Sequence, residues 1–184
     1  MIEIPVGVSN RHVHLKREDI DILFGSGYVL TKKRDLTQKG EFACNETVIL
    51  KNGNNVIERV RIIGPERKYT QVEVCKTDAD YLNINPPIRT SGDLENSENI
   101  TIIGPKGEVN SKNSCIIAER HIHINSELYP DLIDGSVVNL KTKDNLIIDN
   151  VHIKKGPLFS VELHIDKDDS KKFNLDNGDI VVLE

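Results

Sequence analysis

Two histidine pairs carry the clearest chemical signal in this chain of 184 residues. His12 and His14 flank Val13, and His121 and His123 flank Ile122. On a strand, residues two apart point to the same side, about 6.6 Å from one another. Each pair can therefore converge its imidazoles on one ion. Zinc takes neutral imidazole at about 2.0–2.1 Å, and a catalytic zinc commonly has three protein ligands and one open position. Held that way, a metal can orient an anionic reactant or stabilise a developing negative oxygen. His152 has no partner at this spacing and is expected to be a satisfied strand histidine.

The pairs lie in a duplicated frame. Arg11-His12-Val13-His14-Leu15 returns as Arg120-His121-Ile122-His123-Ile124. Val60, Ile62, Val72 and Val74 return as Val151, Ile153, Leu163 and Ile165, which aligns Glu73 with His164. Each pair thus gains a third candidate ligand: Glu73 joins His12 and His14, and His164 joins His121 and His123. A third, ungapped alignment superposes Ile122, Leu132, Gly135, Val138 and Leu140 on Ile165, Leu175, Gly178, Val181 and Leu183. The repeating unit is a strand with polar residues, a short helix, an Asp/Asn-Gly turn and another strand. Arg11 and Arg120 alternate away from the ligand face, which assigns them to structure or to pairing between barrels.

Most of the chain reads as short β-branched runs closed by Gly, Asn, Asp or Pro, such as Thr47-Val48-Ile49-Leu50 before Lys51-Asn52-Gly53. The fold class this implies is mainly β, with two small related β-barrels and short capping helices. Helices are expected over 16–24, 126–133 and 168–173, with a weaker candidate over 78–82. One barrel is expected from 1–10 plus 119–184, the amino-terminal strand joining the carboxy-terminal half, and the other from 11–118. The length excludes an eight-fold barrel of about 250 residues. No apolar run approaches the ~18 residues of a membrane span. A net charge of -5, 4% aromatics and no Trp argue against a nucleic-acid partner. Three cysteines without framework spacing fit a reducing compartment. The segment Met1-Ile2-Glu3-Ile4-Pro5 has neither a basic nor an apolar signal region, so a cytoplasmic location is expected.

His12, His14, Glu18 and Gly25 have the spacing of a first cupin metal motif, but no second motif follows. Glu18 also reads as the exposed first turn of a helix. Seven stretches together resemble the PduL-type phosphotransacylases, or phosphate propanoyltransferases. They are residues 4–15 (IPVGVSNRHVHL), 30–47 (LTKKRDLTQKGEFACNET), 63–74 (IGPERKYTQVEV), 85–94 (NPPIRTSGDL), 102–107 (IIGPKG), 116–124 (IIAERHIHI) and 161–166 (VELHID). The resemblance implies acyl transfer between coenzyme A and inorganic phosphate, two Zn2+ ions per chain and a homodimer. It implies that His12, His14 and Glu73 hold one zinc and His121, His123 and His164 the other. Arg67 matches the phosphate-contacting, catalytic arginine, Ser91 belongs to the same phosphate site, and Ser9 and Arg61 fall where coenzyme A passes. Members housed in bacterial microcompartments often carry an amphipathic extension before the IPVGVS-like segment. That segment starts here at Ile4, so encapsulation by that route is not expected.

Arg67 suits a bidentate grip on phosphate, yet a straight strand would set it about 20 Å from Glu73. The chain must bend at Gly64-Pro65 to bring it near. Ser91-Gly92 is either a loop whose backbone N–H groups face an anion or an ordinary turn. Cys75, two residues from Glu73, raises a covalent acyl-cysteine route, against which direct attack of metal-bound phosphate on the thioester is favoured. The rival functions are a zinc thioester hydrolase and a non-catalytic metal-binding module.

Overall fold

The computed structural model describes residues 1–183. In chain order its elements are β1 (Ile2–Ser9), β2 (His12–His14), α1 (Arg17–Phe24), β3 (Lys32–Asp35), β4 (Phe42–Asn52), β5 (Asn55–Gly64), β6 (Gln71–Glu73) and α2 (Lys76–Leu82). There follow β7 (Ile88–Arg89), β8 (Glu98–Ile103), β9 (Glu108–Ala118), β10 (His121–Asn125), β11 (Val137–Thr142), β12 (Ile147–Gly156), β13 (Glu162–Asp166), α3 (Lys167–Phe173) and β14 (Ile180–Leu183). No helix among the described residues is long and apolar enough to cross a membrane.

The chain separates into two compact units. The first contains Met1–Asn10, Thr37–Lys39 and the chain from Glu119 onward; the second contains Arg11–Leu36 and Gly40–Ala118. In the first unit six strands close a barrel in the order β1-β13-β10-β12-β11-β14. In the second the order β4-β5-β2-β6-β9-β8 also closes, because β8 pairs with both β4 and β9. Strand β3 extends from β4, and β7 from β9. The two rings match strand for strand. β2, β5, β6 and β9 correspond to β10, β12, β13 and β1, with the same parallel or antiparallel sense at each pairing. Each unit therefore takes one strand from the other half of the sequence, since β1 runs on to β2 and β9 runs on to β10.

The repeat positions form the two cores. Val60, Ile62, Val72 and Val74 in one, and Val151, Ile153, Leu163 and Ile165 in the other, are all at most 3% exposed. In β5 the buried set skips from Ile57 to Val60, because Arg59 takes a left-handed φ of 58° and shifts the register against β4. The third alignment is visible in the turns. Gly135 (φ 77°) and Gly178 (φ 87°) both need the left-handed backbone that glycine adopts without strain, and their N–H groups bond Ile153 and Val6.

Three of the four expected helices form. α3 begins at Asp166, whose carboxylate accepts from the backbone of Asp168 and Asp169 at 2.9 Å, and it ends in Lys171 and Lys172, which suit its dipole. Residues 126–133 are turns instead of a helix. Asn125 caps a single turn through Glu127 and Leu128, but Pro130 lacks an N–H and disfavours helical backbone at Tyr129.

Arg11 and Arg120 each pair with a carboxylate of their own unit. Each reaches the third residue of the helix that follows β6 or β13. Arg11 Nη1 donates to Asp78 at 3.0 Å, and Arg120 forms a two-pronged pair with Asp169, both bonds 2.7 Å. Arg120 also donates to the Asp149 carbonyl at 2.8 Å and lies 5.2 Å from the Phe173 ring. Replacing Arg120 with Met should lower unfolding stability by about 2 kcal/mol. Lys should restore little, because its ammonium cannot make the planar fork. The midpoint of urea unfolding measures both.

Candidate metal centres

In the second unit, short β2 lies between β5, parallel, and β6, antiparallel, with His12 opposite Glu73 and His14 opposite Gln71. Val13, between the histidines, is fully buried and pairs with Val72. The alternation that buries Val13 therefore sets both imidazoles on the other face. His12 Nε2 is 3.3 Å and His14 Nε2 3.8 Å from the two Glu73 oxygens, and the rings are 5.0 Å apart, edge to face. Each of the three offers one ligand atom within 4.8 Å of the others. Burial first, then the charge of His12 and Arg67, drives the His14 pKa down to about 3 against the pull of Glu73. His14 is thus neutral, the form that binds metals.

Arg67 reaches this neighbourhood without a long strand. β5 stops at Gly64, and the returning chain lays Arg67 beside the end of β2, its N–H bonded to the Leu15 carbonyl at 2.9 Å. Its guanidinium donates to Ser91 Oγ (3.3 Å) and Glu41 Oε1 (3.1 Å). Gln71 links this cluster to the metal face: its amide nitrogen donates to Glu73 (2.7 Å) and Ser91 (2.9 Å), and its oxygen accepts from Gly92 N–H (2.8 Å). Of the two readings of Ser91-Gly92, an anion-facing loop or an ordinary turn, the structure shows the Gly92 N–H occupied by a side chain. Gln71 and Glu41 were missed by sequence reasoning. Gln71 has a signal, since it shares strand parity with Glu73, whereas Glu41 has none.

The first unit builds the equivalent face from β10 and β13, with His121 opposite His164 and His123 opposite Glu162. His123 Nδ1 lies 3.2 Å from His164 Nε2, and the ring centroids of the three histidines are 4.6–4.9 Å apart. Their ligand atoms also gather within 4.8 Å. His121 Nδ1–H donates to the Glu119 carbonyl at 2.9 Å, which leaves Nε2 for an ion. Burial, followed by the charges of Lys154 and His164, holds His121 well below its usual pKa; burial, His164 and Lys154 take His123 to about 3. Phe159 packs on His123 at 4.5 Å. Two imidazoles with a carboxylate, and three imidazoles, are donor sets that fit zinc or another first-row ion.

The remaining candidates are placed as follows. Arg61, opposite His12 on β5, donates to the Cys44 and Asn45 carbonyls at 3.1 and 2.8 Å. Ser9 ends β1 opposite Asp166. β6 stops at Glu73, and Cys75 is the buried residue that precedes α2. His152, opposite His121, lies 3.6 Å from the Glu119 carboxylate and belongs to neither cluster.

A sequence model described as phosphate propanoyltransferase matches residues 5–176. A phosphate propanoyltransferase of Thermotoga maritima is 44% identical, the match covering 98% of this chain and 88% of that protein. One from Priestia megaterium is 44% identical over 98% of this chain and 85% of its own, and one from Clostridioides difficile 39% over 96% and 87%. Similarity of this extent, carried through both repeats of the metal face, makes the chain a member of the phosphate propanoyltransferase family and therefore an acyltransferase.

Proposed function

We propose that the protein is a zinc-dependent phosphate acyltransferase that moves a short acyl group, propanoyl or acetyl, between coenzyme A and inorganic phosphate. The observation that carries this reading is the chain of contacts from Arg67 through Ser91 and Gln71 to Glu73, which puts an anion grip beside a ready donor face. Membership of the family supports the reaction class. His12, His14 and Glu73 would hold one ion, and His121, His123 and His164 the other. When bound, such an ion supplies positive charge that offsets the repulsion between phosphate and the electron-rich thioester.

The residues of the chain do the rest. Arg67 takes two phosphate oxygens through its planar fork, releasing Ser91 and Glu41 to do so. Gln71 holds Glu73 and Ser91 in place. A phosphate oxygen then forms a bond to the acyl carbon, the C–S bond breaks, and coenzyme A leaves as thiolate, which takes up, directly or through water, the proton that hydrogen phosphate gives up. Cys44 and Cys115 offer no rival nucleophile, which leaves Cys75 alone as the candidate for a covalent route. Burial first, then Glu46, pushes Cys44 up to about 11, and burial with Glu98 and Glu73 pushes Cys115 up to about 12, so neither is a thiolate at neutral pH.

Thiol release from propanoyl-CoA by the zinc-loaded protein should require phosphate; equal release without it would identify a hydrolase instead. Arg67→Ala should lower kcat/KM for phosphate by roughly 10–100-fold, the loss of charged hydrogen bonds, with zinc content unchanged by metal analysis. Turnover by Cys75→Ser should stay within a few-fold of the parent. Loss of turnover with zinc intact would point to an acyl-cysteine.

A further inference from the structure

Each candidate metal face has four corners, and the fourth differs between the units. His12 pairs with Glu73 and His14 with Gln71; His121 pairs with His164 and His123 with Glu162. Each block therefore contains one carboxylate, but at a different corner. In the second unit the fourth corner is an amide whose two ends are spent on Glu73, Ser91 and Gly92. In the first unit it is a carboxylate aimed at the donors. Glu162 Oε2 lies 2.8 Å from His164 Nε2, the same nitrogen that approaches His123 Nδ1.

Two features hold Glu162 in this pose. The side chain of Thr37 hydrogen-bonds its carboxylate. Gly7, opposite His164 on β1, leaves the space the carboxylate fills, for a Cβ there would stand 2.8 Å from Glu162 Cδ and 2.9 Å from Oε1. The carboxylate is only 13% exposed. Burying a charge without a partner is costly, and three neutral imidazoles offer a divalent ion no compensating charge.

We propose that Glu162 is the anionic member of the metal site in the first unit, balancing from the fourth corner an ion held by His121, His123 and His164. This rests on the reading that these histidines bind metal. The test is zinc competition against a chromophoric chelator on the full chain, with stoichiometry from metal analysis. Glu162→Gln keeps the shape and removes the charge; it should weaken one ion by about 10–100-fold and leave the other at its parent affinity. Gly7→Ala removes no donor and no charge but displaces the carboxylate, so it should weaken the same ion. Parent affinity for both ions in Glu162→Gln overturns the proposal. If His121→Ala leaves the parent's zinc stoichiometry unchanged, the metal reading itself falls, which separates the two failures.

Discussion

Two antiparallel registers, β2 on β6 and β10 on β13, position every candidate ligand. Val13 pairs with Val72 and Ile122 with Leu163, and all four side chains are fully buried. Because side chains alternate with a period of two, a slip of one residue would expose these aliphatics and drive histidines into the core. Burying each is worth roughly 1.5–3 kcal/mol, so the core holds the register. The same register sets His12 beside Glu73 and His121 beside His164. The packing of these strands therefore gathers the donors.

From that shared frame the units diverge in what surrounds the donors. The connection from β5 to β6 and that from β12 to β13 both start with Gly-Pro. The first carries Arg67 and reaches Ser91 and Glu41; the second carries Phe159, which covers His123. One face thus acquires a cation with exchangeable partners, and the other an aromatic wall and a seated carboxylate. Duplication explains the likeness of the strands, whose cores are built mainly of aliphatics. Their connections are free of that constraint and could take on separate roles.

Much of this was legible in the sequence because it rests on periodicity. The i, i+2 histidines, the aliphatic positions of the repeat and the two barrels all follow from alternation and self-similarity. The corner residues Gln71 and Glu162 obey the same parity, two positions before Glu73 and His164, but recognising them needs the cross-strand register that places them opposite His14 and His123. Glu41 and Thr37 were beyond reach, since each comes from a loop whose path no local pattern encodes. The helix expected over 126–133 failed at one residue, Pro130. Arg67 was the reverse case: strand geometry argued against it, and the return of the chain beside Leu15 removed the objection.

On the proposed function, charge would tie the two faces to an anionic substrate in a chain of net charge -5. Each face combines imidazoles with one carboxylate, and each has a cation nearby: Arg67, itself paired with Glu41, depresses the His14 pKa, and Lys154 those of His121 and His123. A divalent ion bound to either face would meet a single carboxylate there, Glu73 or Glu162, and so would keep part of its positive charge. The acidic composition then sets the repulsion met at a distance, while an ion bound to either face would make the field positive within a few ångströms of it. That division suits a small anion able to enter the face and disfavours an extended polyanion, which would have to lie along the acidic surface as well.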